Sequence, residues 1–224
     1  MFKLKYYLSF LFDVLLEQHE SPLNPILKLY LSQGQLKLVS SNAVYSYGNH
    51  YYNFRDSFSI LKLDEINIKK VLILGLGTGS IIQILEQKYK IKAAYDAVEL
   101  DPVVISVFEK YKHWFTNSDC IIYNQDAMEF ISENKKSYDL ICMDIFNDRT
   151  VPEKFETKDF LNLLKNVLAE NGILIYNRIN YNGMDQDKNE EFFKLFQIVF
   201  PNAGIIKLDF NWMFVVKPNG LLNK

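Results

Sequence analysis

The stretch VLILGLGTGS, residues 71–80, decides the fold. Its first residues form a short continuous apolar run, which is typical of a strand buried on both faces. Gly75, Gly77 and Gly79 follow, and the next segment, 80–90, has the apolar spacing of a helix. A glycine-rich turn between strand and helix lets a ligand approach the backbone near the positive helix end. The stretch therefore predicts the opening of a ligand-binding α/β domain.

Further along the chain, strand patterns alternate with helical ones. We predict strands over AAYDAVEL (93–100), CIIYNQDA (120–127), YDLICMD (138–144) and ILIYNRI (173–179), with helices over 102–115, 128–135, 159–172 and 190–200. Gly172 is expected to close the third of these helices. The last segment, AGIIKLDFNWMFVVKP (203–218), reads as two strands joined by a tight connection. This order predicts an α/β, Rossmann-like, mostly parallel seven-stranded sheet with a C-terminal antiparallel hairpin.

A smaller β-rich part precedes this domain. ILKLYLSQGQLKLVS, residues 26–40, alternates apolar and polar residues on both sides of Gln33 and Gly34, which predicts a β-hairpin. The first twenty residues are expected to form an amphipathic element that docks on the core. We place an N-terminal subdomain of hairpin and helix at 1–67 and the Rossmann-like domain at 68–224.

Composition limits the class of protein. The chain has 224 residues, of which 49% are hydrophobic, and its net charge is −2. Nearly balanced charge argues against a nucleic-acid-binding protein. The two cysteines stand in apolar runs without metal-ligand or redox spacing, so we expect no metal and a cytoplasmic location. The apolar run near the N-terminus is too short to span a membrane.

Carboxylates follow several of the predicted strands. Glu99, Asp126 and Asp144 each stand at a strand end, as does the glycine turn. Because the carboxyl ends of parallel strands open onto one crevice, these groups are expected to face a common ligand. Each carboxylate alone is more often a helix N-cap or a solvated loop residue. The repetition at successive strand ends favours the ligand site.

The glycine spacing indicates which ligand. In a dinucleotide fingerprint, the third small residue, usually glycine, comes three positions after the second glycine. Here that position is Ser80, and the third glycine, Gly79, comes one position earlier. The terminal hairpin also departs from the dinucleotide-binding fold. Both features favour an adenosine ligand without a pyrophosphate, namely S-adenosylmethionine or a relative.

Four segments together resemble a known family. VLILGLGTGSIIQILEQ, AVELDPVVISVFEKY, NQDAMEFI and YDLICMDIFND are similar in order and spacing to the spermidine synthases, the polyamine aminopropyltransferases, within the class I methyltransferase fold. The hairpin with GQLKL and the Tyr-rich segment after it also look like that family's N-terminal β domain. The resemblance implies a transferase and a homodimer.

The resemblance also implies roles for individual residues. Donor-binding residues would be Gly75, Gly77, Thr78 and Gly79 along the methionine-derived chain, Glu99 with Leu100 at the ribose, and Asp126 with Ala127 at the adenine. Asp144 would be the catalytic acid that faces the incoming amine. On the acceptor side, the candidates are Tyr45, Tyr47, Phe146 and Asp148. Arg149 and Lys154 are expected to be solvated.

Two departures from the family pattern bear on the reaction. Thr78 replaces an Asp that grips the decarboxylated donor, and Asn147 replaces a second acid three residues after Asp144. A dicationic amine needs several carboxylates, so the sequence places methyl transfer from S-adenosylmethionine to a small acceptor first. Aminopropyl transfer from decarboxylated S-adenosylmethionine is the alternative, and a non-catalytic binding or assembly module is the third hypothesis.

Overall fold

The computed structural model describes residues 2–41, 43–116 and 118–218, which form two β-sheets flanked by helices. The N-terminal sheet is antiparallel throughout and contains, in spatial order, β1 (Val14–His19), β2 (Leu27–Ser32), β3 (Gln35–Val39) and β4 (Val44–Ser46). The predicted hairpin is confirmed: β2 and β3 pair through Ser32 and Gln35, with Gln33 and Gly34 at positive φ in the turn. Positive φ at both central residues suits a two-residue hairpin turn.

The second sheet has seven strands in the order β10-β11-β9-β8-β5-β6-β7. These strands are β5 (Lys70–Leu74), β6 (Ala94–Glu99), β7 (Cys120–Asn124), β8 (Tyr138–Met143), β9 (Leu168–Ile179), β10 (Gly204–Lys207) and β11 (Asn211–Val216). Strands β5 to β9 run parallel, whereas β10 and β11 form the antiparallel hairpin at one edge. The predicted fold class is therefore confirmed.

Helices pack around the two sheets, and only some of them begin at a side-chain cap. They are α1 (Phe2–Leu8), α2 (Tyr52–Leu61), α3 (Ser80–Gln83, continued by a π-helical turn over Ile84–Lys88), α4 (Pro102–Tyr111), α5 (Ala127–Glu133), α6 (Lys158–Val167) and α7 (Gln186–Val199). Asp101 caps α4 by accepting from the Val103 amide, and Pro102 suits the first helical position. No helix within the described ranges is long and apolar enough to cross a bilayer.

One apolar core joins the two sheets. Leu29, Leu31 and Leu38 of the N-terminal sheet pack in the same cluster as Val71 and Ile73 of β5. A second cluster fills the opposite face of the large sheet, between it and α5, α6 and α7. The N-terminal sheet is thus fixed over one end of the large sheet, where the strand-end residues lie.

The first helix departs from expectation. Instead of docking on the core, α1 leaves Leu4 and Tyr7 exposed. It is held at the hairpin turn, where the Gln33 amide donates to the Ser9 carbonyl and the Gly34 amide donates to the Ser9 hydroxyl. Of the segment predicted to dock, β1 packs Val14 and Leu16 against the core, whereas α1 is anchored at the hairpin turn by these contacts. Strand β1, which follows it, was not predicted.

The helix predicted to end at Gly172 ends earlier, at Val167. Leu168 is already extended and pairs with Tyr138, so β9 begins there. Gly172 lies inside β9, where the register with β8 shifts, and a Cβ atom there would come within 2.9 Å of the Tyr138 carbonyl oxygen. The glycine is therefore needed because β8 and β9 approach closely at a bulge. Sequence periodicity does not distinguish a glycine at such a bulge from one that caps a helix.

Candidate functional site

A cavity of about 750 Å³ opens at the carboxyl ends of the parallel strands, beneath the N-terminal sheet. Most of the predicted site residues line it: Gly75, Gly77, Glu99, Leu100, Asp126, Ala127 and Asp144 from the strand ends, Tyr45 and Tyr47 from β4 and the position after it, and Phe146 and Asp148 from the loop after β8. Five carboxylates and two cations lie on its wall among the described residues, so negative charge prevails among its charged groups. Such a cavity suits a positively charged ligand.

The glycine turn after β5 is built for close approach. At Gly75, which has φ +90°, a Cβ atom would come within 2.4 Å of the Asp144 carbonyl oxygen. At Gly77, with φ +55°, it would meet the Ser46 Cβ at 3.0 Å. Because of these short contacts, side chains at the two positions would push apart β5, β8 and the N-terminal sheet. An L-residue there would also be strained by the positive φ.

Two predicted donor residues of this turn do not line the cavity. Thr78 is buried, and its hydroxyl has no hydrogen-bond partner among the described residues. A Cβ atom on Gly79 would meet the rings of Phe108 and Phe115. Gly79 therefore serves the packing of α4 against the turn. The sequence pattern did not separate ligand-facing from core-facing positions of the turn.

Glu99, at the end of β6, binds the glycine turn. One carboxylate oxygen accepts from the amides of Leu76 (3.1 Å) and Gly77 (3.4 Å), and the other accepts from the Asp101 amide (3.0 Å). Burial nevertheless raises the pKa of Glu99 above its usual value. A carboxylate has about four lone-pair sites, so these three bonds leave acceptor capacity toward the cavity.

Asp126 has two contacts that its predicted adenine role did not include. One oxygen caps α5 by accepting from the Met128 amide at 2.9 Å. The other forms an ion pair with Lys154, which also lines the cavity and is therefore not simply solvated. The N-cap role weighed from the sequence is observed, and the carboxylate still borders the cavity beside Ala127.

Asp144 is held from two sides at the end of β8. Its Oδ2 accepts from the Tyr51 hydroxyl at 2.8 Å, and its Oδ1 accepts from the Asn177 side-chain amide at 2.8 Å. Tyr51 precedes α2 and Asn177 lies on β9, so three separate elements determine where the carboxylate stands. Both contacts fix the side-chain torsions of Asp144 and leave it bordering the cavity.

A second layer fixes Asn177. Its amide oxygen accepts from the Asn211 side-chain amide at 2.8 Å, and the Asn211 oxygen accepts from the Tyr52 hydroxyl at 2.8 Å. Asn177 is 1% exposed and Asn211 is 8% exposed. Buried amides whose hydrogen bonds are satisfied hold a fixed orientation, because breaking one bond leaves an unpaired polar group. The Asn177 amide therefore keeps pointing at Asp144.

Burial raises the pKa of Asp144 to about 7, and the negative charge of Glu99 adds to the effect, while the bonds from Asn177 and Tyr51 oppose it. The same burial, with the nearby Asp144 charge, raises the pKa of Tyr51 well above its usual value. Near neutral pH, Asp144 therefore exchanges a proton readily, whereas Tyr51 stays protonated and donates. A general base is most effective when its pKa lies near the working pH.

The N-terminal sheet supplies the opposite wall. The Tyr45 hydroxyl donates to Asn24 at 2.7 Å, and the Asn24 amide donates to Asp101 at 2.9 Å, so Tyr45 is tied to the cap of α4. The Tyr47 hydroxyl forms a hydrogen bond with the Ser32 hydroxyl at 2.7 Å. These bonds hold both rings at the cavity wall, where they were predicted to be.

The loop after β8 forms the outer rim. Phe146 is half-buried at the cavity wall. Asp148 has φ +51° and accepts from the Ser40 hydroxyl at 3.3 Å. Arg149 is exposed, as predicted, and its guanidinium carbon lies 4.4 Å from the centroid of the Tyr181 ring. Tyr181 stacks in turn on Phe210.

Several cavity residues escaped sequence reasoning. They are Asn177, Asn211, Tyr181 and Phe210, whereas Tyr51 and Tyr52 belong to the Tyr-rich segment that the sequence singled out only as a whole. One signal was present: Asn177 interrupts the otherwise apolar start of ILIYNRI, and a polar side chain inside a buried strand needs a partner. Nothing in the aromatic run HYYNF separates Tyr51 from its neighbours, because its contact with Asp144 joins residues far apart in the chain.

Comparison with known proteins gives consistent relatives. A polyamine aminopropyltransferase of Vibrio vulnificus is 33% identical over 112 residues, which cover 49% of this chain and 37% of that protein. A spermidine synthase in complex with the transition-state analogue AdoDATO superposes with a TM-score of 0.72 at 15% identity, over 92% of this chain and 74% of that one. Human methyltransferase-like protein 13 in complex with SAH superposes with a TM-score of 0.58 at 23% identity, over 70% of this chain and 75% of that one.

The likeness to solved structures shows a fold shared with spermidine synthases and methyltransferases. The first curated relatives are matched over only 37% to 52% of their length. The model of the spermine/spermidine synthase domain matches residues 58–203, well over half of the chain, and this span includes the glycine turn, Glu99, Asp126 and Asp144. The chain therefore belongs to the spermine/spermidine synthase domain family.

Proposed function

We propose that this protein transfers an aminopropyl group from decarboxylated S-adenosylmethionine to an amine. The observation that carries the proposal is Asp144, a carboxylate with a pKa of about 7 at the cavity wall, fixed between Tyr51 and Asn177. Family membership and the curated relatives favour this reaction, which the sequence ranked second, over methyl transfer.

The reaction needs an unprotonated acceptor. The lone pair of the acceptor nitrogen attacks the aminopropyl carbon bonded to the sulfonium, a new N–C bond forms, and the C–S bond breaks with its electron pair moving to sulfur, which leaves methylthioadenosine. An ammonium group first gives a proton to Asp144, whose charged form also attracts the cation. The protein otherwise acts by holding donor and acceptor in line.

The charge of the cavity supports the decarboxylated donor. Glu99 borders the glycine turn, and the intact donor would bring its own carboxylate near it. Of the two cations on the described wall, Lys154 already pairs with Asp126. The decarboxylated donor has no carboxylate and adds only positive charge at this end, so we expect it to bind more tightly.

Calorimetry tests the donor directly. We expect decarboxylated S-adenosylmethionine to bind at least about tenfold more tightly than S-adenosylmethionine, which corresponds to about 1.4 kcal/mol. Glu99→Gln should weaken donor binding, whereas Glu133→Gln, on the exposed face of α5, should not. Tighter binding of the intact donor would favour methyl transfer instead, and binding of neither would contradict the proposal.

A further inference from the structure

Both oxygens of Asp144 receive hydrogen bonds that start from the beginning of α2. Oδ2 accepts directly from the Tyr51 hydroxyl at 2.8 Å. Oδ1 is reached by a chain of three bonds of 2.8 Å each, from Tyr52 to Asn211, from Asn211 to Asn177 and from Asn177 to Asp144. Tyr51 immediately precedes α2 and Tyr52 is its first residue. Two consecutive tyrosines thus act on the two oxygens of one carboxylate.

All hydrogen bonds of this chain point toward Asp144. An ionised carboxylate only accepts, so Asn177 must present an N–H group to it and turn its amide oxygen toward Asn211. Asn211 donates to that oxygen, and its own oxygen needs a donor, which the Tyr52 hydroxyl supplies. Both amides are buried, so an oxygen without a donor would be costly. Tyr52 therefore completes an arrangement that presents an N–H group to the ionised form of Asp144.

Consecutive hydrogen bonds also strengthen one another. A donor bound to an amide oxygen polarises the amide and makes its N–H group a stronger donor. Tyr52 acts in this way on Asn211, and Asn211 acts in this way on Asn177. Burial, together with the charges of Asp209 and Asp56, raises the pKa of Tyr52 to about 12. The hydroxyl therefore keeps its proton near neutral pH and remains a donor.

Other titratable groups act on Asp144 without passing through this chain. The charge of Glu99, at the end of β6, raises the pKa of Asp144, and the bond from Tyr51 lowers it. Burial raises the pKa of Cys142, two residues earlier on β8, well above its usual value, so this thiol stays neutral. The cavity wall also carries His50, Asp101, Asp126, Asp148, Arg149 and Lys154. None of these groups is a member of the chain, so a substitution at Tyr52 leaves them in the protein unchanged.

We propose that Tyr52 is a positioning residue for Asp144: its hydroxyl, acting through Asn211 and Asn177, keeps an N–H group on Oδ1 and favours the ionised carboxylate. Its part in the reaction rests on the proposed aminopropyl transfer, in which that carboxylate takes a proton from the amine. Its effect on the ionisation of Asp144 can be measured without any substrate. The reacting bonds are those already described, because the chain alters only the proton affinity of the base.

A pH titration of the Asp144 carboxyl carbon by NMR, in the full chain, tests the proposal. Tyr52→Phe keeps the ring and removes the hydroxyl, so the midpoint should rise by roughly 0.3 to 1 pH unit. Asn211→Leu interrupts the chain nearer to Asp144 and should raise the midpoint at least as far. Tyr89→Phe is the matched control, since it removes a hydroxyl that binds α2 elsewhere, at the Arg55 carbonyl, and should leave the midpoint in place.

Transmission through the chain has its own signature. In the Asn211→Leu background, Tyr52→Phe should add no further shift, because the chain is already interrupted. The pH at which kcat/KM for methylthioadenosine release is half-maximal should move together with the NMR midpoint. A merely structural role would lower activity and leave both values where they are.

The contrary results are distinct. An unchanged or lowered midpoint in Tyr52→Phe would overturn the proposal, and so would shifts that add fully in the double variant. A raised midpoint with an unmoved kcat/KM profile would overturn the part of Tyr52 in the reaction. A raised midpoint in a protein that releases no methylthioadenosine, with or without substitutions, would sustain the chain to Asp144 and overturn the proposed function instead.

Discussion

Asp144 is the residue on which the chemistry of this site depends. Its carboxylate is oriented by a tyrosine before α2 and an asparagine on β9, and burial brings its pKa to about 7. The sequence placed Asp144 at a strand end but indicated neither partner. Strand ends can be located from local patterns, whereas hydrogen bonds between distant segments depend on the finished packing.

Replacing the carboxylate should stop turnover and spare the donor site. Asp144→Asn keeps the shape of the side chain but removes the proton acceptor, so kcat should fall by about 100-fold or more. Donor binding measured by calorimetry should change little. Asp159→Asn, on the exposed first turn of α6, is the control. Unchanged turnover in Asp144→Asn would remove this residue from the mechanism.

The Tyr51 hydroxyl should set the pH at which the enzyme becomes active. Deprotonation of Asp144 predicts that kcat/KM rises with pH through about 7. The bond from Tyr51 lowers the pKa of Asp144, so Tyr51→Phe should move this rise to higher pH. Tyr89→Phe removes a hydroxyl that donates to the Arg55 carbonyl, outside the cavity, and should leave the profile in place. A shift to lower pH in Tyr51→Phe would contradict the assignment.

Asp144 should also make stability depend on pH. Its pKa is about 7 in the folded protein and close to the ordinary value of an aspartate, 3.8, when unfolded. Between these values the folded state binds more protons, so the Asp144 contribution should lower the free energy of unfolding as pH rises from about 4 to about 7. Chemical denaturation across this range should show a smaller decline in Asp144→Asn. An equal decline in both proteins would contradict the raised pKa.

At the scale of elements, the turn after β5 joins fold and function. Its strand, turn and helix were predictable because a buried run, glycines and helical spacing follow one another. The neighbours of each glycine were not predictable. A Cβ atom on Gly75 would meet the backbone of Asp144, whereas one on Gly79 would meet two phenylalanine rings. Gly172 illustrates the same difficulty, since a bulge and a helix cap both call for glycine.

Two glycines at similar φ separate crowding from backbone strain. Gly75→Ala places a Cβ atom 2.4 Å from the Asp144 carbonyl oxygen, whereas at Gly183, with φ +77°, nothing lies within 4 Å. Gly183→Ala should cost only the strain of positive φ, about 1 kcal/mol, and Gly75→Ala clearly more. Denaturation by urea measures both. Equal losses in the free energy of unfolding would mean that the turn accommodates the added Cβ atom without displacing β8.

At the scale of the whole molecule, the cavity exists because the N-terminal sheet closes over the strand ends. The Rossmann-like domain supplies Glu99, Asp126 and Asp144, and the N-terminal part supplies Tyr45 and Tyr51. Periodicity and turn residues predicted the large sheet, the β2–β3 hairpin and the strand-end residues that line the cavity. The acceptor side depends on how the two sheets and the loops at the strand ends meet, so the contact of Arg149 with the Tyr181 ring could not be predicted.

The most direct measurement is mass spectrometry of the products. The full chain, incubated with decarboxylated S-adenosylmethionine and amine acceptors, should release methylthioadenosine together with an equal amount of aminopropylated amine, and Asp144→Asn should release neither. Absence of both products across amines with and without a second charged group, or a methylated acceptor formed from intact S-adenosylmethionine, would contradict aminopropyl transfer.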